Sequence, residues 1–299
     1  MRVLVTGAKG FVGRQVCRSL KDAGHTIIAV SRHEAEESLE STTIQANLTV
    51  AGEAARVVRI SKPDTIVHLG WTVEHGRFWN DPANHDWLAA SLELARTAAE
   101  IGVRRFVGVG TCFEYDWPAD RNCYENSTPL IGHTLYDISK SKLRLALDCI
   151  FSDAGVSFAW ARLFNLYGSQ EHPNRLVADL ARQVIAGSLA RCSTGLILRD
   201  YIDVRDAGDA IAALVISGVI GSVNIASGQA VSIADIARMI GKIAGRPELI
   251  EIGGRPDRVD DPPRIVADIG RLKREVGYFS KIDLHQGLTE EIMYWKKQN

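Results

Sequence analysis

The sequence predicts an α/β fold in which a parallel, doubly wound sheet is joined to a smaller C-terminal α/β unit. Three observations carry this expectation. Short, nearly unbroken apolar runs recur along the first two thirds of the chain, and amphipathic segments of helical period separate them. A glycine triplet, Gly7, Gly10 and Gly13, sits between the first run and the first helical segment. Strands buried on both faces require unbroken apolar runs, and strand–helix alternation closes into right-handed parallel units.

Val3-Leu4-Val5 opens the series, and Val12, Val16 and Leu20 then step by four along the first helix. Ile27-Ile28-Ala29-Val30, Thr65 to Leu69 and Phe106 to Val109 read as the next strands, with Leu88, Leu92, Ala95 and Ala99 on one helix face between the last two. Tyr136, Lys140, Leu143, Leu147 and Ile150 mark a further helix, and Val156 to Trp160 a fifth strand. Near residue 165 the rhythm breaks into short strands and turn clusters such as 168–174 and 255–257. Helices are expected there over about 174–187 and 232–244, the second opened by Ser232 as N-cap. The first unit is therefore placed at 1–165, with a return segment near 203–226, and the second at 166–299.

Composition narrows the class. A chain of 299 residues, 46% hydrophobic, buries enough surface to fold without disulfide or metal staples. Its 35 basic and 36 acidic residues give a net charge of −1 with no polybasic run, which argues against nucleic acid or an anionic membrane as partner. No apolar stretch approaches the ~20 residues that span a bilayer. The first residues lack the apolar core of a secretory signal, and five cysteines without a C-x-x-C pair suit a reducing compartment, so a cytoplasmic location is expected. The eight histidines show no metal-ligand spacing.

Gly7-Ala8-Lys9-Gly10-Phe11-Val12-Gly13 has the spacing G-x-x-G-x-x-G, not that of a P-loop. Glycines at a strand–helix junction permit a tight turn, close approach to a pyrophosphate and close helix–strand packing, while the helix N-terminus offers free N–H groups. A Rossmann-like dinucleotide site is the expectation. NAD sites place a carboxylate at the end of the second strand; here that place reads Val30-Ser31-Arg32. A hydroxyl and a guanidinium suit a 2′-phosphate, so NADP(H) is favoured over NAD(H).

Tyr136-Asp137-Ile138-Ser139-Lys140 puts a phenol and an ammonium one helical turn apart. A free phenol titrates near ~10, and a neighbouring cation is expected to lower that value into the range of acid–base work. Thr111 follows an apolar strand, where its hydroxyl could polarise a carbonyl.

With these residues in place, the chain resembles the extended short-chain dehydrogenase/reductases, specifically the sugar-nucleotide epimerase/dehydratase/reductase group. The resemblance runs nearly end to end: the loop at 7–13, Val67-His68-Leu69-Gly70, Thr111, Tyr136 with Lys140, 162–168, 199–206 and 223–228. The segments 162–168 and 199–206 are the specific ones. The resemblance implies Tyr136 as general acid/base, Lys140 as holder of the nicotinamide ribose and Thr111 as the group orienting the reacting oxygen. It implies cofactor contacts from Gly7, Gly10, Phe11, Val12, Gly13, Ser31, Arg32, Asn47, Leu48 and Leu69. Asn165, Arg199 and either Arg255 or Arg258 would meet the diphosphate of a nucleotide-sugar substrate. Helices near 86–101 and 136–153 would pair in a homodimer.

Departures from the family pattern sharpen the reading. Dehydratases of the group follow the threonine with Asp-Glu, whereas this chain has Cys112-Phe113, so the pair that eliminates water is missing. Cys112 is one residue from Thr111, not the two that 3,5-epimerases use, and is expected to be a small buried residue. Trp71-Thr72, Glu114-Tyr115 and His172 fall on loops that should face the sugar pocket, in packing or solvated roles. The expected activity is reduction of a nucleotide-linked 4-keto-6-deoxy sugar by NADP(H). The alternatives are an NAD-dependent 4-epimerase using the same residues and a non-catalytic nucleotide-sensing protein on the same fold.

Overall fold

Every strand predicted in the first two thirds lies in one parallel sheet. The structure, a computed structural model, describes residues 1–32, 42–258 and 261–298. Its first half runs β1 (Arg2–Thr6), α1 (Phe11–Asp22), β2 (Thr26–Ser31), β3 (Thr42–Gln45), α2 (Glu53–Ser61), β4 (Thr65–His68), α3 (Ala83–Glu100), β5 (Arg105–Thr111), α4 (Leu135–Ala154) and β6 (Ser157–Leu163). The second half runs β7 (Asn165–Tyr167), α5 (Leu176–Ile185), β8 (Ala190–Cys192), β9 (Leu198–Asp203), α6 (Val204–Ile216), β10 (Gly221–Ile225), β11 (Ala230–Ser232), α7 (Ile233–Ala244), β12 (Ile250–Ile252), β13 (Arg264–Ile265) and α8 (Leu284–Gln298). The seven strands of the main sheet lie in the order β10-β6-β5-β4-β1-β2-β3, all parallel. The chain thus winds outward both ways from the β1/β4 boundary, and ligands of such sheets bind in the crevice beyond the strand ends at that reversal.

Two apolar layers sandwich the sheet. On one face Val16, Leu20, Ile211 and Leu214 of α1 and α6 pack on Val3, Val5, Val67 and Val107; on the other Val57, Leu94, Leu143 and Leu147 of α2, α3 and α4 pack on Leu4, Ile66 and Phe106. A third core joins α5, α7 and α8 around Val177, Leu180, Ile236, Ile240 and Leu288. There β9 pairs with β7, β11 and β13, and β8 pairs with β12. Ser232 caps α7, its hydroxyl accepting the Asp235 N–H at 3.0 Å, as its side chain predicts.

β3 and α2 do not stand out in the sequence. β3 is a half-exposed four-residue edge strand, and α2 spans nine residues behind Gly52 in the left-handed region. Neither is long enough to show a clear period. Among the described residues no helix is long and apolar enough to cross a membrane.

Candidate active site

The glycine loop closes on contacts that no other residue allows. Gly7 has φ +69°, and a Cβ there would lie 2.9 Å from the Gly70 nitrogen. At Gly13 a Cβ would stand 2.1 Å from the Gly7 carbonyl oxygen. The first turn of α1, with Gly10 as N-cap and Phe11 and Val12 following, is thereby pressed against the end of β1. Such a cradle fits a dinucleotide pyrophosphate.

A directed hydrogen-bond chain fixes the neighbouring strand end. The Ser91 hydroxyl donates to the Trp87 carbonyl at 2.6 Å, so it accepts from His68 Nε2 at 2.8 Å. His68 Nδ1 then accepts from the Thr6 hydroxyl at 2.7 Å, and that oxygen accepts the Gly70 N–H at 3.0 Å. Burial pulls the His68 pKa down to about 3, with Lys140 adding to the effect, so the imidazole is neutral and structural. Leu69, half-buried between His68 and Gly70, lies against the first core layer.

Ser31 ends β2 buried, and Arg32 follows it exposed, with its carbonyl accepting from Gln45 at 3.3 Å. The Asn47 side-chain oxygen accepts the Thr49 N–H and hydroxyl at 3.3 and 2.9 Å, which leaves its amide nitrogen outward. Leu48 is buried in the second core layer.

Three segments bring the chemistry together. Thr111 ends β5, where the Glu114 carboxylate accepts its N–H at 2.9 Å. Tyr136 lies in the first turn of α4, set there by a capping box in which Asp137 accepts the Thr134 N–H at 2.9 Å and the His133 N–H at 2.6 Å. The Thr111 side chain lies beside the Tyr136 phenol and favours its ionised form. One turn further, Lys140 Nζ donates to the Val109 carbonyl at 2.9 Å and sits 3.9 Å above the Trp71 ring centre. Trp71 is itself held by its indole N–H, which donates to Asn84 at 2.7 Å.

The electrostatics correct one expectation. Burial, reinforced by the Glu114 carboxylate, pushes the Tyr136 phenol above its ordinary range; the Thr111 side chain is the main opposing effect. The Lys140 charge faces the Val109 carbonyl and the Trp71 ring and is not among the main effects on the phenol. Burial also draws the Lys140 ammonium down to about 7, with Glu114 opposing.

Glu114 and Tyr115 take the packing roles expected of them. Glu114 is fully buried and pairs with Arg162, its Oε2 2.8 Å from Nε, while Trp160 Nε1 donates to it at 3.0 Å. Tyr115 donates to Asn224 at 2.7 Å and accepts from Arg162 at 3.1 Å. Gly108 and Gly110 leave room for this arrangement, since a Cβ at either would strike the Trp160 ring at 2.5 and 2.2 Å. The pair therefore braces Thr111 from beneath. Cys112 is also inward, 1% exposed, and burial raises its thiol pKa far out of reach of proton abstraction. His172 stays exposed and stacks on His75 at 5.1 Å.

Asn165 opens β7 and donates to the Asp200 carbonyl at 3.3 Å. Arg199, Arg255 and Arg258 line one cavity of about 350 Å³, walled by Leu176, Leu180 and Tyr201. Arg199 is buried, donating to the Pro262 carbonyl at 2.8 Å and paired with Asp261. Arg255 is exposed and pairs with Asp179 at 3.4 Å. Sequence reading named Trp71 and Glu114 as packing residues but missed the partners that hold them, Asn84 and Arg162. A visible signal did exist, since four of the six tryptophans fall at 71, 79, 87 and 117.

Fold and site together define an enzyme of the NAD(P)-dependent oxidoreductase and epimerase class. The family model "NAD dependent epimerase/dehydratase family" matches residues 3–226, and the chain belongs to that family. Among curated relatives, UDP-glucuronic acid decarboxylase 1 of Xenopus tropicalis is 25% identical over 307 residues, covering 99% of this chain and 72% of that protein. The dTDP-6-deoxy-L-talose 4-dehydrogenase (NAD(+)) of Aggregatibacter actinomycetemcomitans is 24% identical over 239 residues, 77% of this chain and 85% of its own. The fold matches the UDP-glucose 4-epimerase of Thermotoga maritima with a TM-score of 0.89 at 21% identity, covering 100% of this chain and 99% of that one.

Proposed function

We propose that the protein is an NADP(H)-dependent reductase of a nucleotide-linked 4-keto-6-deoxy sugar. The carrying observation is the convergence of three buried groups, Thr111 at the end of β5 and Tyr136 and Lys140 one turn apart on α4. When bound over the glycine loop, a reduced nicotinamide supplies hydride. The chain's own residues do the rest: Tyr136 gives its proton to the carbonyl oxygen, Thr111 orients that oxygen, and Lys140, one turn on, would hold the nicotinamide ribose. A phenol held above its ordinary pKa starts the cycle protonated, as a ketone reduction needs. Arg32, exposed beside Ser31 where NAD sites carry an acid, supports the phosphorylated cofactor. Arg199 and Arg255 would grip the substrate diphosphate, with Asn165 beside them. One relative is named as a dTDP-6-deoxy-L-talose 4-dehydrogenase (NAD(+)), which supports the 6-deoxy sugar class.

An NAD-dependent 4-epimerase is the second reading, favoured by the fold match to a UDP-glucose 4-epimerase over the whole chain. Incubation with NADPH and a nucleotide 4-ketosugar separates the two. Stoichiometric loss of absorbance at the reduced-nicotinamide band supports the reductase. An unchanged signal there, together with a C4 stereoisomer formed from the corresponding 4-hydroxy nucleotide sugar, supports the epimerase, and no product from either substrate overturns both. The same reading carries a homodimer through α3 and α4, where Leu145 and Cys149 are exposed; sedimentation at a single-chain mass would refute it.

A further inference from the structure

The turn after Thr111 sorts its side chains. Cys112 and Glu114 go inward, 1% and 0% exposed, while Phe113 between them stays half-exposed beside the catalytic hydroxyl. Its own N–H donates to Thr111 Oγ1 at 3.3 Å, so the ring and the reacting group move as one. Phe113 meets Trp79 edge-on at 4.8 Å and Trp117 at 5.6 Å. Trp79 in turn meets the Tyr136 ring at 6.0 Å. The wall is anchored at both ends: Trp117 Nε1 donates to the Cys112 carbonyl at 3.0 Å, and Trp79 packs on buried Phe78 at 4.3 Å. All three rings are half-buried, so they are shared between core and cleft.

We infer that Trp79, Phe113 and Trp117 are the specificity-determining surface of the site and read the apolar edge of the sugar, accepting a methyl group at C5 and disfavouring a hydroxymethyl or a carboxylate. This narrows the nucleotide-sugar reading above and rests on it. Aromatic faces take up the C–H face of a pyranose, and a methyl group extends that face. A hydroxyl laid on the ring faces loses water for little return, because a ring face is a weak hydrogen-bond partner and the Trp117 N–H is already engaged. A carboxylate carries a full charge and costs more again to lay on ring faces. A wall without hydrogen-bond partners discriminates by roughly 10- to 100-fold, not more.

The test compares UDP- and dTDP-linked glucose, 6-deoxyglucose and glucuronate, with their C4 epimers, as substrates for oxidation by NADP⁺ and as quenchers of tryptophan emission. The expected result is a kcat/KM for the 6-deoxy sugar roughly 10- to 100-fold above the others. Quenching by the 6-deoxy form should exceed that by the nucleoside diphosphate alone. Phe113→Ala should reduce the preference to a few-fold, mainly by lowering kcat/KM for the methyl sugar, while Phe113→Tyr should retain most of it. Circular dichroism reports folding, and Phe113→Leu replaces the alanine variant if that one does not fold. Equal rates and equal quenching by methyl and hydroxymethyl forms overturn the wall and leave the reductase standing. Absence of nicotinamide reduction with every sugar overturns the reductase, and the quenching series still decides the wall.

Discussion

Lys140→Met gives the most direct check on the buried charge at this site. The ammonium is 3% exposed, and folding moves its pKa from the usual 10.5 to about 7. Between those two values the unfolded chain binds a proton that the folded chain lacks, so wild-type stability rises with pH across the window and is lowest below it. The slope is at most about 1.4 kcal/mol per pH unit, or roughly 2–3 kcal/mol between pH 7 and 9. Methionine has no such dependence. At pH 9 the neutral amine still donates to the Val109 carbonyl, a bond worth about 1 kcal/mol, so the variant should be the less stable by that amount. At pH 7 the order should reverse, with Lys140→Met the more stable by about 1–2 kcal/mol. Urea denaturation of both proteins at half-unit steps from pH 6 to 9.5 measures the difference directly. A gap that stays constant within about 0.5 kcal/mol, well below the expected slope, would refute the assignment of a desolvated ammonium. Turnover should fall in the variant at every pH, because no amine remains to hold the nicotinamide ribose.

Other substitutions probe separate parts of the argument. Tyr136→Phe keeps the ring contacts with Phe78 and Trp79 but removes the proton donor, so activity should fall about 10²- to 10⁴-fold with cofactor affinity within a few-fold of wild type, read by steady-state kinetics and titration. Gly13→Ala places a Cβ 2.1 Å from the Gly7 oxygen; the loop must open, costing about 3 kcal/mol and abolishing the melting-temperature shift produced by NADPH. Arg162→Met strands the fully buried Glu114 carboxylate and should cost about 3–5 kcal/mol in denaturant, more than any surface pair such as Arg59–Glu100.

The sheet and the cofactor loop were legible because they depend on period and on backbone permission. Val3 to Val5 and Phe106 to Val109 are apolar without a break since both faces of their sheet are covered, and Gly7 and Gly13 are glycines because a Cβ would strike neighbouring backbone. These constraints act within a few residues, so they are written locally in the chain. Tyr136 and Lys140 are likewise one helical turn apart, and their shared face follows from that spacing alone. The tertiary structure decided what their surroundings do. Glu114, from a different loop, pushes the phenol up instead of the lysine drawing it down, and Trp71, sixty-nine positions before Lys140, takes the ammonium's open face. Burial, field and ring packing sum over atoms brought together from distant segments, and no local pattern records which segments those will be. The sequence alone determined the α/β scaffold and the residue types at the site; their protonation states, and the aromatic wall beside them, were settled only when the chain closed on itself.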